Sequence, residues 1–127
     1  MNSIASMKKI KKSEQNDFLA YVLYDVLAGI SGITSRRTIG GSFILYKEGV
    51  IFGLVADNQL YFKVDEHNKQ SFTDRQCRPF TYQNQEGEDV ALSYFEVPDE
   101  VVENKQLIGE WINQSCAASI RSKKQRA

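Results

Sequence analysis

Apolar residues recur at Phe18, Leu19, Val22, Leu23, Val26 and Leu27, the i, i+3/i+4, i+7/i+8 spacing of a helix with one buried stripe. Ser13 stands where it can cap that helix, Glu14 and Asp17 suit its positive end, and Gly29 or Gly32 offers a left-handed stop. After Gly32 the period shortens. Ile33 to Ile39, Ser42 to Tyr46 (SFILY), Val50 to Ala56 (VIFGLVA) and Gln59 to Val64 (QLYFKV) are rich in β-branched and aromatic residues and predict strands. The separators Gly40-Gly41, Glu48-Gly49 and Asp57-Asn58 all tolerate positive φ, so these strands fold as consecutive hairpins, an antiparallel meander.

Asp65 to Arg75 is polar around a lone Phe72, the pattern of a short surface helix held down by one anchor. Arg78 to Tyr82 and Asp89 to Val97 predict a second hairpin across the polar loop Gln83 to Glu88, with its turn at Gly87. Pro98, Asp99 and Glu100 open a helical region that Asn104 restarts after a break. Its apolar stripe runs through Val101, Val102, Leu107, Ile108, Trp111, Ile112, Cys116 and Ile120. The expectation is one α+β domain: an antiparallel meander sheet with an N-terminal helix, a short middle helix and a C-terminal helix packed on it, in the order α-β(3-4)-α-β(2)-α. Its bounds are 13–121, with a basic arm at 1–12 and a basic tail at 122–127.

Composition agrees with a single core. The chain has 127 residues, 42% hydrophobic, with seven Phe, six Tyr and one Trp. No stretch approaches the roughly 18 apolar residues of a membrane span, and the basic start leads into SEQNDF rather than an apolar signal core, so a cytoplasmic protein is expected. The net charge is zero but unevenly spread. Lys8, Lys9, Lys11 and Lys12 precede the domain, and Arg121, Lys123, Lys124 and Arg126 follow it. All 16 acidic residues lie between Ser13 and Ile120, where eight basic ones remain, so the body is acidic. Such a body repels phosphate backbones, and the tails offer nucleic acid at most weak, salt-sensitive contacts.

Few residues point to chemistry. His67 is the single histidine and sits in a polar stretch, so no metal pair, Cys-His dyad or Ser-His-Asp arrangement can be assembled, and no cofactor or metal is expected. Asp57, Asp65, Asp74 and the Glu86–Asp89 run fall at turns, where acids cap and solvate. Cys116 rides the apolar stripe as a small hydrophobe, whereas Cys77 beside Arg75 and Arg78 is a candidate for a lowered pKa. Asn113-Gln114-Ser115 matches a glycosylation acceptor but falls inside a helix. Two features ask for more. Arg36-Arg37 leads into Gly40-Gly41, placing adjacent cations on opposite faces of a strand, so at least one guanidinium should be held by a carboxylate or carbonyl. Along the fourth strand, Tyr61 and Lys63 share one face and Phe62 and Val64 the other.

The ordered series RRTIGG, LYKEGVIFGLVADNQLYFKVD, PFTY and LSYFEVPDEV, followed by a helix with Trp111, resembles the N-terminal domain of the TfoX (Sxy) family of bacterial competence regulators. The resemblance runs from about Phe18 to Ala118. The family pattern carries over at Arg36, Arg37, Gly40 and Gly41, at Gly49 and Phe52, and at Leu60, Tyr61, Lys63 and Asp65. It continues through Pro79, Phe80, Tyr82, Tyr94, Val97, Pro98 and Trp111. Thr38-Ile39-Gly40-Gly41 stands where the family usually has Met-Phe-Gly-Gly, and Phe43-Ile44-Leu45-Tyr46 where it usually has Gly-φ-Tyr. The resemblance implies a secretion-chaperone-like sheet with helices against it and self-association as a homodimer. It also implies co-activation of competence genes with the cyclic-AMP receptor protein. Full-length regulators of the family add a C-terminal helical domain, so this chain reads as the N-terminal module alone.

Two functional readings follow. One is a non-catalytic regulatory module acting through a protein partner, with Arg36, Arg37, Gly40, Gly41, Tyr61, Lys63 and Tyr94 as candidate interaction residues. The other is a chaperone-like binder of a peptide or small molecule on a sheet face or edge, which requires Tyr61, Tyr82 and Tyr94 to line an open surface. A weak enzyme using Cys77 or a carboxylate pair is a third, and needs a cleft that brings such a group to oxyanion donors.

Overall fold

Left-handed residue pairs cut the middle of the chain into strands. Glu48 and Gly49 have φ of 49° and 81°, and Asp57 and Asn58 have 51° and 60°, the conformation that lets a two-residue turn follow the twist of a hairpin. In the computed structural model, which describes residues 12–38 and 40–126, those turns join β2 (Phe43–Lys47), β3 (Val50–Ala56) and β4 (Gln59–Lys63). β1 (Ile33–Arg37) precedes them, and β5 (Pro79–Gln83) and β6 (Asp89–Glu96) follow. The six strands form one antiparallel sheet in the order β1-β2-β3-β4-β6-β5. Apart from Lys12, the basic N-terminal arm lies outside the described residues.

Helix α1 spans Lys12–Tyr21 and continues as a π-helical turn over Val22–Val26. A regular helix was expected through this stretch. The wider turn is closed by the Leu27 amide donating to the Val22 carbonyl at 2.9 Å. At about 100° per residue an α-helix would carry Leu27 roughly 140° round from Val22. The π turn instead lets Val22, Val26 and Leu27 all enter the core. Lys105 donates from Nζ to the carbonyls of Asp25 and Val26 at the end of this segment, serving as a C-terminal cap from a distant helix.

The middle helix, α2 (Lys69–Thr73), is anchored as expected by Phe72, whose ring lies 4.7 Å from Trp111 and 6.0 Å from Phe95. The break near Asn104 is also present. It separates α3 (Asp99–Val102) from α4 (Lys105–Arg126), and the Asn104 Oδ1 accepts the Leu107 amide at 2.9 Å. α4 runs on through 122–126, the residues set apart in sequence as a tail.

The helices cover one face of the sheet. Phe43, Leu45, Phe52, Val55, Leu60, Phe62, Val64 and Val97 meet Phe72, Val101, Ile108, Trp111 and Ile112 in one core. A bulge in β3 sharpens this packing, because Tyr46 pairs with Ile51 but Leu45 with Gly53, leaving Phe52 as the extra residue. Its ring packs edge-on to Phe62 with centroids 5.6 Å apart. The Ile51 carbonyl beside the bulge accepts the Ser119 hydroxyl from α4.

Candidate interaction surface

Alternation along the strands sends every second side chain away from the helices. Cross-strand pairing aligns those residues as a row, Arg36–Ile44–Leu54–Tyr61–Glu96, spanning five strands. Beside it lie Thr34, Tyr46 and Ile51, with Lys63 paired to Tyr94. None of these residues belongs to the core beneath the helices. Even so Leu54 is only 8% exposed, between Ile44 and Tyr61 in the row. The result is an apolar, aromatic sheet face.

Tyr61 is the centre of one half of that face. Its ring meets Phe80 of β5 edge-on at 5.2 Å, and burial, followed by the charges of Glu96 and Asp57, pushes its hydroxyl above the usual tyrosine range. Glu96 holds Arg78 through both carboxylate oxygens, at 3.1 and 3.4 Å, and also accepts the Arg78 amide at 3.0 Å. An open depression of about 440 Å³ lies among Asp57, Tyr61, Arg78, Phe80 and Glu96. In the other half, the Lys63 ammonium lies over the Tyr94 ring at 5.2 Å and donates to Ser93 Oγ at 2.7 Å. The last turns of α4 overhang this end, enclosing about 200 Å³ among Tyr46, Ile51, Lys63, Tyr94, Ser119 and Lys123.

The residues singled out in sequence are therefore divided. Lys63 and Tyr94 pair directly, and Tyr61 shares their face two residues along β4. Arg36 shares their face but stands three strands away, about 14 Å at ordinary strand spacing. Arg37 points to the helix side, where its guanidinium lies 4.8 Å over Phe43 and donates to the Asn16 amide oxygen at 3.1 Å. Gly40 and Gly41, with φ of 87° and 83°, belong to the turn after β1, where Gly41 donates to the Thr38 carbonyl at 3.3 Å. Tyr82 is 46% exposed on the edge strand. Sequence reasoning passed over Ile44 and Leu54, because a run of apolar strand residues does not say which face is left open. It also passed over Tyr24, although an aromatic residue off the helix stripe was a usable signal; Tyr24 is 75% exposed.

The expected lowering of the Cys77 pKa is corrected. Burial pushes this thiol up, and so does the charge of Glu96; together they outweigh the lowering by Arg75, which is itself bonded to Glu100. Burial raises Cys116 as well. Asp65, Glu66 and His67 have ligand atoms within 4.8 Å of one another. Both Asp65 oxygens, however, accept from Arg121, at 2.7 and 3.0 Å, and Oδ1 also accepts the His67 amide at 2.9 Å, so the trio forms a hydrogen-bonded turn leading into α2. Among the described residues no helix is long and apolar enough to cross a membrane.

A sequence model of the TfoX N-terminal domain matches residues 25–119, from the π turn to the Ser119 that bonds the β3 bulge. No curated protein matches the chain.

Proposed function

The chain belongs to the TfoX N-terminal domain family, and from that premise we propose that it is a non-catalytic regulatory module acting by protein contact in the cytoplasm, a transcriptional co-activator of the competence-regulator kind. The open sheet face carries this reading. It presents the half-buried Ile44, Tyr61 and Tyr94 around a buried Leu54, outside the helix-covered core, and a partly apolar, aromatic sheet face without a covering helix favours a protein partner. The proposed partners are the cyclic-AMP receptor protein and a second copy of the chain, with only weak nucleic-acid contact from the basic ends.

The test is capture of purified cyclic-AMP receptor protein, with cyclic AMP present, on the immobilised full chain and on its Tyr61→Thr variant. Threonine keeps strand propensity while removing the ring. The expected result is capture by the parent chain and at least about tenfold weaker capture by the variant, a loss of roughly 1.4 kcal/mol. Equal capture by both chains removes the face from the reading, and no capture by either removes that partner.

A second reading, a chaperone-like binder of a peptide or small molecule, draws on the same half-buried tyrosines of the sheet face. It expects Tyr61→Thr to weaken binding of unfolded apolar peptides rather than of one folded partner.

A further inference from the structure

The sheet ends at β1, and among the described residues no strand pairs with its outer edge. Within the β1–β2 ladder the Thr38 amide donates to the Ser42 carbonyl at 2.9 Å and the Glu48 amide to the Gly32 carbonyl at 2.8 Å. Those bonds turn the even-numbered residues toward β2, so the backbone groups of Ile33, Ser35 and Arg37 point outward. None of them has a hydrogen bond among the described residues.

Beside this edge runs an open groove of about 700 Å³, between β1 and the segment that leaves the π turn. Its lining is mixed: Leu23, Ile30 and Ile33 supply the apolar part, Thr34, Ser35 and backbone the polar part, and Tyr24 stands at its rim. Gly32 (φ 79°) shapes the bend into β1, and a Cβ there would meet Glu48 Cγ at 2.6 Å. On the opposite face of the same strand, Arg36 is exposed and has no ion pair or hydrogen bond among the described residues.

We propose that β1 is a strand-addition site for an extended peptide in which an acidic residue is followed by two apolar residues spaced one apart. An antiparallel strand laid on the three outward rungs alternates its side chains between the two faces. Residues opposite Ser35 and Ile33 enter the groove beside Leu23, Ile30 and Ile33, and the residue opposite Arg36 emerges beside its guanidinium, where a carboxylate is favoured. A second copy of the chain is a poor occupant. β1 reads Ile-Thr-Ser-Arg-Arg, so pairing two copies edge to edge would gather four guanidiniums in one ladder with no acid to balance them. The inference deepens the protein-contact reading by naming the chemistry of a partner segment, at a site separate from the Tyr61 face.

The experiment titrates the capped peptide Ser-Glu-Val-Thr-Val-Ser into the isotope-labelled full chain and follows backbone amide shifts. Shifts confined to residues 23–37 are expected. Replacing the peptide glutamate by lysine should weaken binding at least about tenfold, and the Arg36→Glu chain should reverse that preference. A Tyr24→Ala chain, altered only at an exposed rim residue, should bind more weakly with its spectrum otherwise unchanged. No shifts at millimolar peptide, or equal binding of the two peptides, overturns the proposal. Concentration-dependent shifts at β1 without peptide overturn it in favour of self-pairing. Failure here leaves the Tyr61→Thr capture result untouched, so the two readings fall separately.

Discussion

Asp65 ends the fourth strand in sequence and holds the far end of α4 in space. Arg121 donates to both of its oxygens, which holds the carboxyl below the usual carboxylate range. A depressed native pKa means that the unfolded chain binds the proton more readily, so the pair stabilises the fold above the ordinary carboxylate pKa. That contribution is lost as pH falls through the lower native value. Urea midpoints measured from pH 6 down to pH 2.5 should therefore drop, and Asp65→Asn should make the drop shallower below about pH 4. An unchanged slope in the variant would show that the bond does not matter to stability. Ser115 makes the opposite case. Its hydroxyl is fully buried and has no partner among the described residues, so Ser115→Ala should be neutral or stabilising by about 1 kcal/mol in urea unfolding. Neither effect could be read in sequence. Asp65 and Arg121 are 56 positions apart, and serine on a helix stripe does not announce that its neighbours lack acceptors. Cys77 misled for a related reason: adjacent arginines were visible, but the carboxylates that occupy them were not.

At the scale of elements the pattern was far more legible. The order of helices and strands, the hairpin turns, the Phe72 anchor and the restart at Asn104 all follow from spacing and turn chemistry, which are local. Phe72 is 1% exposed between Trp111 and Phe95, and α2 has little else beneath it, so Phe72→Ala should cost about 3–5 kcal/mol by thermal or urea unfolding. A loss under about 1 kcal/mol would mean that α2 is held by its polar contacts instead. The β3 bulge and the π turn were not legible, because both answer to what packs from elsewhere. Gly53 records that pressure. A Cβ there would sit 2.5 Å from the Tyr61 carbonyl and 3.1 Å from the Phe62 ring, so Gly53→Ala must push β4 aside and should cost about 1–3 kcal/mol. Sheet order was illegible for a different reason: a hairpin added by β5 or by β6 has the same alternation, and only the pairing of Tyr61 with Glu96 decides it.

For the molecule as a whole, the sequence separated a basic tail at 122–127 from the domain, yet α4 continues to Arg126. What the end of this helix does for the fold can be divided between its residues. Ala118 is fully buried, Ser119 bonds the Ile51 carbonyl beside the bulge, and Arg121 holds Asp65. Beyond them Lys123 and Lys124 are exposed. A chain ending at Ser122 should therefore unfold within about 1 kcal/mol of the full chain, since the described side chains it loses, Lys123 and Lys124, are exposed. A chain ending at Ala117 gives up one buried residue, the bulge hydrogen bond and a two-pronged ion pair, and should lose about 2–4 kcal/mol, with exposure of the guanidinium keeping the last share small. Urea unfolding of the three lengths checks this. Equal stability of the shortest chain would mean that the sheet carries its bulge without help from α4. The end of the helix would then be left to close the cavity at Tyr46, Lys63 and Tyr94, a role in binding rather than in folding.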